Sequence, residues 1–203
     1  MAVKNHALDE KITEAARAEF LDKGFRGASL QKIAARAGMT TGALYTRYKS
    51  KDELFCSLVR EVLDAAAELA GPMEQDYMAA RETGDPNQIM AVIRREEQIY
   101  RDLLFRCPEA CMLLFCRSDG SSLETMLQTM MTEKVRSTVA YFKSIARSDQ
   151  LDLDGVEPLI SSQFYFYRQI LEKGYDREKA VSCLKTVEYY MDAGWNALFE
   201  AIV

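Results

Sequence analysis

Apolar residues recur every three or four positions along almost the whole of this 203-residue chain. That interval places them on one face of an α-helix, whereas an exposed strand would alternate apolar and polar residues. Ile12, Ala16 and Phe20 are an early example of the helical interval. We therefore predict an all-α protein of about nine helices, and the 48% of apolar residues is enough for a sizeable core.

Glycine, proline and capping residues mark the ends of these helices. Gly24, Gly38 and Gly174 predict helix C-termini, because glycine adopts the left-handed cap conformation without strain. Ser50 and Glu53 have the spacing of a capping box. The predicted helices span about 7–23, 29–37, 41–48 and 50–70, with a stop at Gly71-Pro72, and later ones begin near Pro86, Pro108, Ser121, Val156 and Asp176, with a polar turn over 148–155.

The chain has a single histidine, His6, and five cysteines, none of which forms a Cys-x-x-Cys pair. One histidine excludes a multi-histidine metal site and the two Glu-x-x-His pairs of a ferritin-like di-iron site. A helical enzyme is therefore disfavoured, and we predict no catalytic residue, no metal site and no cofactor. The cysteines are interpreted as reduced cytosolic thiols, and a sensing role for Cys107, Cys111 and Cys116 is the alternative.

No segment has the composition of a membrane span or a secretion signal. The apolar runs fall far short of the roughly 20 residues that a transmembrane helix needs. The first eleven residues contain no apolar signal core. We therefore expect a cytoplasmic protein with no membrane partner.

Charge is distributed unevenly along the chain. The net charge is −5, yet residues 1–60 carry 11 Lys and Arg against 7 Asp and Glu, while residues 61–203 carry 15 against 24. The segment from Phe25 to Lys51 holds six basic residues and no acidic one. A basic segment on an acidic chain suits a phosphate-binding module, and a solvated charge run is the alternative.

Residues 29–48 have the pattern of a helix-turn-helix. Two short helices meet at Gly38, and Ala34 supplies the small side chain that such a steep crossing requires. Ile33 and Leu44 are placed to close the small core beneath them. The outward positions of the second helix carry no acid, which suits entry into the major groove because a carboxylate would face phosphates there.

The same segment resembles a known family. Its motif runs Phe20-Leu-Asp-Lys-Gly-Phe-Arg-Gly-Ala-Ser29-Leu30, Ile33-Ala34, Ala37-Gly38-Met39 and Gly42-Ala-Leu-Tyr-Thr-Arg-Tyr48-Lys-Ser-Lys-Asp-Glu-Leu54. With this spacing intact, it resembles the N-terminal domain of the TetR (tetracycline-repressor-like) transcription factors. Ser29 stands where the family usually has Thr, Tyr48 where it has Phe and Asp52 where it has Glu, and each change keeps the chemistry similar. The resemblance implies an all-α dimer whose C-terminal domain binds a small effector.

The resemblance and the basic charge together predict a DNA-binding face. Tyr45 and Lys51 are expected to contact phosphates, Lys51 together with the N-terminus of the fourth helix. Thr40 is expected to cap its helix and to touch a phosphate at once. The predicted DNA-binding residues are Gln31, Lys32, Thr40, Thr41, Gly42, Ala43, Tyr45, Thr46, Arg47, Lys49 and Lys51, with Thr41, Ala43, Thr46 and Arg47 as candidate base or backbone readers.

The last two helices carry more apolar residues than one packing partner would cover. In the resembled family these helices form a four-helix bundle across a twofold axis, and core packing within a monomer is the alternative. The predicted homodimer interface consists of Val156, Ile160, Phe164, Ile170, Leu184, Val187, Met191, Trp195 and Leu198.

The central helices are rich in methionine and aromatic side chains, which suit either a pocket of adaptable shape or an ordinary core. Tyr77, Tyr100, Glu96, Glu97 and Asp119 are candidate directing groups for a hydrophobic effector that is neutral or cationic. Glu96 and Glu97 are adjacent, so their side chains point about 100° apart on a helix. The predicted pocket residues are Met73, Tyr77, Met90, Tyr100, Phe105, Met112, Phe115, Met126, Met130, Phe164 and Tyr167.

These patterns predict a helix-turn-helix DNA-binding domain over residues 1–51 and an effector-binding and dimerisation domain over 52–203. The implied function is that of a repressor that a hydrophobic small molecule releases from a palindromic operator. The alternative is a helical DNA-binding protein that a protein partner regulates and that has no small-molecule pocket.

Overall fold

The computed structural model describes residues 6–147 and 151–203, and the predicted all-α fold is confirmed. Residues 148–150 of the predicted polar turn lie outside the described part, and a short 3-10 turn, Leu153–Gly155, follows them. The helices of the described residues are α1 His6–Gly27, α2 Leu30–Arg36, α3 Thr41–Tyr45, α4 Lys51–Thr83, α5 Pro86–Arg106, α6 Pro108–Cys116, α7 Ser122–Ile145, α8 Val156–Glu172 and α9 Arg177–Ile202.

Side-chain caps begin three of these helices where the sequence predicted them. The Ser29 hydroxyl accepts a hydrogen bond from the Lys32 amide at 3.4 Å, which caps α2. The Asp176 carboxylate accepts from the Lys179 amide at 2.8 Å and caps α9 in the same way. The Thr40 hydroxyl caps α3. Each bond satisfies an amide that the first turn of a helix leaves without a backbone partner.

Three local predictions were wrong. Helix α4 continues through Gly71 and Pro72 to Thr83, because both residues are exposed and the carbonyl that Pro72 leaves unbonded belongs to the exposed Glu68. Helix α3 ends at Tyr45, not near Tyr48. The capping box is incomplete, since Ser50 accepts from the Glu53 amide but the Glu53 carboxylate accepts from the amide of Lys49.

Packing divides the chain into two compact units. The first consists of Met1–Ala67 and Cys107–Met126, and the second of Glu68–Arg106 and Leu127–Val203. Helix α6 and the start of α7 therefore pack with the N-terminal helices. The predicted boundary between residues 51 and 52 divides a DNA-binding function from an effector-binding and dimerisation function. It stays a prediction.

Each unit has an aromatic centre. In the first unit, the fully buried rings of Phe20 and Phe55 meet edge to face with centroids 4.9 Å apart. In the second unit, Phe142 lies 4.8 Å from Phe199 and 5.8 Å from Trp195, and all three side chains are buried. Close aromatic packing of this kind fixes the helices that carry the polar side chains of each unit.

Candidate DNA-binding surface and C-terminal polar network

The α2–α3 segment forms a rigid turn with its own core. Ile33, Ala34 and Leu44 are each 1% exposed. Gly38 has a φ of 71°, and the Met39 amide then donates to the Ala34 carbonyl at 2.9 Å. The positive φ is why glycine is needed at this turn. The backbone thus fixes how α3 stands relative to α2.

None of the predicted DNA-binding residues is buried. Tyr45 is 51% exposed, which is unusual for an aromatic side chain with an apolar core nearby. Thr41, Ala43, Arg47 and Lys51 are half-buried. The exposed ones are Gln31, Lys32, Thr40, Gly42, Tyr45, Thr46 and Lys49.

Two of the predicted basic contacts already have partners within the chain. The Arg47 guanidinium forms an ion pair with the carboxylate of Asp9 on α1. The Lys51 ammonium donates to the Arg26 carbonyl at 3.1 Å and lies 5.0 Å from the centre of the Phe25 ring. Burial lowers the pKa of Lys51. These partners are 38 and about 25 positions away in sequence, so the helical pattern gave no signal for them.

The segment between α6 and α7 braces the first unit. The Phe25 amide donates to the Arg117 carbonyl at 2.8 Å, and Arg117 Nε donates to the Leu21 carbonyl at 3.0 Å. The amide and the hydroxyl of Ser122 both donate to Asp52, at 2.8 and 2.6 Å. No local sequence pattern indicates this brace, which holds the end of α1 and the start of α4.

The second unit contains a polar network centred on Glu96. The Glu96 carboxylate accepts from Lys134 at 2.6 Å, from the Tyr77 hydroxyl at 2.7 Å and from the Tyr100 hydroxyl at 3.1 Å. Burial alone would raise the pKa of Glu96, but the Lys134 ammonium and these bonds outweigh it and hold the pKa below its usual value. Burial also raises the pKa values of Tyr77 and Tyr100.

Glu97 has a different environment from its neighbour. Its carboxylate accepts a hydrogen bond from the side-chain amide of Gln163 at 3.2 Å. No lysine or arginine in the described part of the chain forms an ion pair with it. Burial, followed by the charges of Asp192, Glu188 and Glu96, raises the pKa of Glu97 to about 7.

The other carboxylates near Glu97 are paired with arginines. Arg94 Nε lies 3.1 Å from the Asp192 carboxylate, and Arg101 forms an ion pair with Glu188. Burial, then Glu97 and Glu188, raise the pKa of Tyr167. Glu97 is therefore the carboxylate of this network that lacks a counter-ion among the described residues.

The predicted pocket residues are divided between the two units. Met112, Phe115 and Met126 belong to the first unit, and the remaining eight belong to the second. Met130 is 53% exposed, whereas Met73 and Met90 are buried. The directing candidate Asp119 also belongs to the first unit, where it pairs with Arg26 at 3.3 Å.

Two open clefts of about 500 Å³ lie on the second unit. One follows the start of α9 and includes Arg177 and Lys185. The other lies along α7 and α8 and includes Val135, Val139 and Ser161. None of the predicted pocket residues lines either cleft.

Six of the nine predicted interface residues are buried in the chain's own core. Val156, Ile160, Met191 and Trp195 belong to the hydrophobic core of the second unit, with Phe142 and Phe199. Phe164, Val187 and Leu198 are half-buried. Four large side chains on α8 and α9 are exposed instead, namely Leu159 at 44%, Tyr165 at 58%, Tyr189 at 82% and Tyr190 at 71%.

The thiols and the helix surfaces add two findings about the described residues. Cys56 and Cys183 are half-buried thiols, and burial raises the pKa of the buried Cys111 to about 12. Within residues 6–147 and 151–203, no helix is long and apolar enough to cross a membrane, and no three His, Cys, Asp or Glu side chains are grouped to hold a metal ion.

Comparison with known proteins gives one family match and several relatives that match part of the chain. Residues 12–58 match the family described as "Bacterial regulatory proteins, tetR family". The HTH-type transcriptional regulator Rv1816 of Mycobacterium tuberculosis is 31% identical over 87 residues, which are 43% of this chain and 37% of that protein. The HTH-type transcriptional repressor BepR of Brucella suis is 29% identical over 110 residues, or 48% of this chain and 50% of that protein. The matches thus span half or less of these relatives.

The fold is shared over most of the chain. A TetR-like transcriptional regulator from Rhodococcus sp. RHA1 has a crystal structure that superposes with a TM-score of 0.59 at 22% identity, over 92% of this chain and 96% of that one. The matching segment 12–58 coincides with α1 to the start of α4, which hold the helix-turn-helix. Residues 12–58 therefore match the tetR family of bacterial regulatory proteins, and the described chain shares the fold of a TetR-like regulator.

Proposed function

We propose that the chain is a transcriptional regulator that binds a near-palindromic DNA operator as a homodimer. The observation that carries the proposal is the helix-turn-helix surface over residues 31–51, where exposed polar and basic side chains stand without one carboxylate between Phe25 and Lys51. The basic side chains of such a surface attract phosphates. The names of the regulators similar to this chain support the same function.

Contacts to phosphates and to bases are assigned to different side chains. Tyr45, Lys49 and Lys51 are assigned to phosphates. The hydroxyl oxygen of Thr40 accepts the helix-cap hydrogen bond, so its hydrogen can be donated to a phosphate. Contacts to the base edges are assigned to α3, with assistance from Gln31 and Lys32 of α2. Phosphate contacts position the protein, and base contacts give specificity.

The test measures binding of the full chain to duplexes selected from a random pool, by fluorescence anisotropy over a range of salt concentrations. Lys49→Ala should weaken binding to every sequence alike and reduce the salt slope by about 1. Lys173→Ala removes an exposed lysine that lies outside α8 and α9 and should leave DNA affinity unchanged. Failure to select any duplex that binds better than random DNA would refute the proposal.

The dimer surface is assigned to the exposed face of α8 and α9. Because the predicted apolar residues largely fill the core, the exposed Leu159, Tyr165, Tyr189 and Tyr190 are the side chains available to a second copy. Large aromatic side chains are enriched in such interfaces. A twofold dimer would then present two recognition helices to half-sites about 10 base pairs apart, or somewhat more.

Size-exclusion chromatography with light scattering tests the dimer. Tyr189→Asp should yield monomers that bind the operator weakly, because a buried unpaired charge disfavours association. Tyr175→Asp is the matched control, since Tyr175 is an exposed tyrosine outside both helices and should leave the dimer intact. A parent chain that elutes as a monomer would refute the assignment.

The effector site is assigned to the polar network of the second unit. Within residues 6–147 and 151–203, no lysine or arginine forms an ion pair with the half-buried Glu97, so this carboxylate favours a cation, and the nearby Tyr167 ring favours a lipophilic one. Binding would bias the conformation that holds DNA, and a useful release needs about 3 kcal/mol of differential affinity.

A thermal-shift experiment tests this assignment. Tetraphenylphosphonium should raise the unfolding temperature and weaken operator binding, whereas neutral triphenylphosphine oxide should do so less. Glu97→Gln should remove the difference between the two compounds. If lipophilic cations and neutral compounds act equally, or neither acts, the assignment fails.

Regulation by a protein partner is the second candidate. The observation that favours it is that the predicted pocket residues line neither described cleft. It predicts that small molecules release no DNA, while a protein partner bound to the second unit does. Isolation of that partner with the intact chain, followed by an operator-release assay, separates the two candidates.

A further inference from the structure

The two threonines that flank α3, Thr40 and Thr46, take part in bonds within the chain. The Thr46 hydroxyl donates its hydrogen to the Ala43 carbonyl at 2.6 Å. The Thr40 oxygen accepts from the Ala43 amide at 3.2 Å. A side chain that reads a base acceptor must offer a free donor, and Thr46 has used its one donor.

Arg47 follows the C-terminal end of α3. Its guanidinium has the shape for a bidentate hydrogen bond to guanine. It is held instead by Asp9, and the two side chains are only 28% and 32% exposed. To reach a base, the guanidinium would have to leave Asp9 as an unpaired, half-buried carboxylate, which is costly. Arg47 is thus placed to join α3 to α1.

Besides the hydroxyl groups of Thr41 and Tyr45, α3 and its C-cap offer small apolar groups for contact with bases. Residues 41–46 are Thr, Gly, Ala, Leu, Tyr and Thr, with Leu44 buried. The exposed Thr46 has a methyl group besides its engaged hydroxyl, and Ala43 offers its Cβ. In the major groove, thymine presents a C5 methyl group that alanine and threonine methyls contact favourably.

We propose that the recognition helix reads thymine methyl groups through Ala43 and Thr46, and that Arg47 is a positioning residue that holds α3 against α1. This inference rests on the proposed DNA-binding function and specifies the chemistry of its operator. Each half-site contains at least one thymine opposite α3. Hydrogen-bond reading of the neighbouring bases falls to Thr41 of α3 and to the exposed Gln31 and Lys32 of α2.

Removal of single methyl groups from the DNA tests the inference. Duplexes selected by the full chain from a random pool are resynthesised with deoxyuridine in place of each thymidine, which deletes the C5 methyl and keeps base pairing. Affinity should fall about fourfold for a contacted methyl, at symmetric positions in the two half-sites. If no duplex is selected, the proposed function fails; if a duplex is selected and every deoxyuridine is neutral, the inference alone fails.

Two substitutions at one position identify the protein methyl. Thr46→Ser removes the methyl and keeps the hydroxyl bond to Ala43, so the ratio of affinities for thymidine and deoxyuridine duplexes should fall towards one. Thr46→Val keeps a methyl there and removes the hydroxyl, so the ratio should persist even if overall affinity drops. An intact ratio in Thr46→Ser, with a lost ratio in Thr46→Val, would assign recognition to the hydroxyl and overturn the proposal.

A second pair of variants tests the role of Arg47. Arg47→Ala should weaken binding to all sequences alike, and Arg47→Lys should restore most of that loss because lysine also pairs with Asp9. Asp9→Asn should weaken binding too, and the double variant Asp9→Asn/Arg47→Ala should bind no worse than Arg47→Ala. A bidentate reader would behave differently: lysine would not rescue it, Asp9→Asn would free it, and preference for one guanine would disappear in Arg47→Ala.

Discussion

Glu97→Gln should stabilise the second unit at neutral and alkaline pH. Glu97 is a half-buried carboxyl whose pKa is raised from 4.5 to about 7, first by burial and then by Asp192, Glu188 and Glu96. Lys134 is the basic group that acts against this shift. Folding therefore favours the protonated form, and ionisation of Glu97 opposes the folded state.

The size of the effect follows from the difference between the two pKa values. A tenfold change in proton affinity is worth about 1.4 kcal/mol, so the rise from 4.5 to about 7 corresponds to about 3 kcal/mol. The parent chain has this stability in full below about pH 4.5 and loses it as the pH rises to about 7. Glutamine has nearly the same shape, carries no charge, and its carbonyl oxygen accepts the same bond from Gln163.

Urea unfolding followed by the fluorescence of Trp195 measures the prediction. Trp195 is the one tryptophan of the chain, is 5% exposed and lies in the second unit. The free energy of unfolding of Glu97→Gln, relative to the parent, should increase by roughly 2–3 kcal/mol between pH 5 and pH 8.

The neighbouring residue provides a matched control with the opposite sign. Glu96→Gln removes a carboxylate whose pKa is lowered and that pairs with Lys134, so it should destabilise the unit at pH 8. The loss should shrink as the pH falls and Glu96 in the parent takes up a proton. If the two variants change stability in the same direction at pH 8, the reasoning about this network is wrong.

Three further predictions concern other parts of the chain. Gly24→Ala should lower the free energy of unfolding by about 1–3 kcal/mol, because Gly24 has φ 66° and ψ 173°, a conformation that residues with a Cβ avoid. Urea unfolding followed by circular dichroism measures this loss, and an unchanged free energy would contradict the strain. Cys111 should escape iodoacetamide at pH 8 until urea unfolds the chain, while the half-buried Cys183 reacts first, as peptide mass spectrometry would show. Asp176→Ala should lower the unfolding free energy by about 1 kcal/mol through loss of the α9 cap, measured by Trp195 fluorescence, and Asp176→Asn should recover most of it.

Local signals in the sequence predicted the fold well. Caps such as Ser29 and Asp176 and glycine turns such as Gly38 involve residues at most a few positions apart, so the pattern contains the whole interaction. The prediction failed at Pro72, where the outcome depends on whether solvent can satisfy a freed carbonyl. That is a property of the packed chain, and the order of residues does not reveal it.

Long-range pairs are the part of the candidate sites that the sequence did not reveal. The arginine side chain of Arg47 is of a type that can bind a base. Its partner Asp9 lies 38 positions away in sequence, so only the folded chain shows this ion pair. Lys134 reaches Glu96 across a similar separation. The prediction that Glu96 and Glu97 diverge rested on helix geometry, and it agrees with their different partners, Lys134 for Glu96 and Gln163 for Glu97. The sequence did not show which of these two carboxylates would form an ion pair with a lysine or arginine.

The helical apolar pattern has the same ambiguity in α8 and α9. A stripe that packs on the chain's own core and a stripe that packs on a second copy obey the same three-and-four interval. Val156, Met191 and Trp195 fit either kind of packing, and the structure places them in the hydrophobic core of the second unit. Exposed aromatic side chains separate the two cases better, because Tyr189 and Tyr190 leave large apolar surfaces in water and add little to the core. A dimer assigned to α8 and α9 therefore rests on these tyrosines, and substitutions in the buried stripe would report on folding instead.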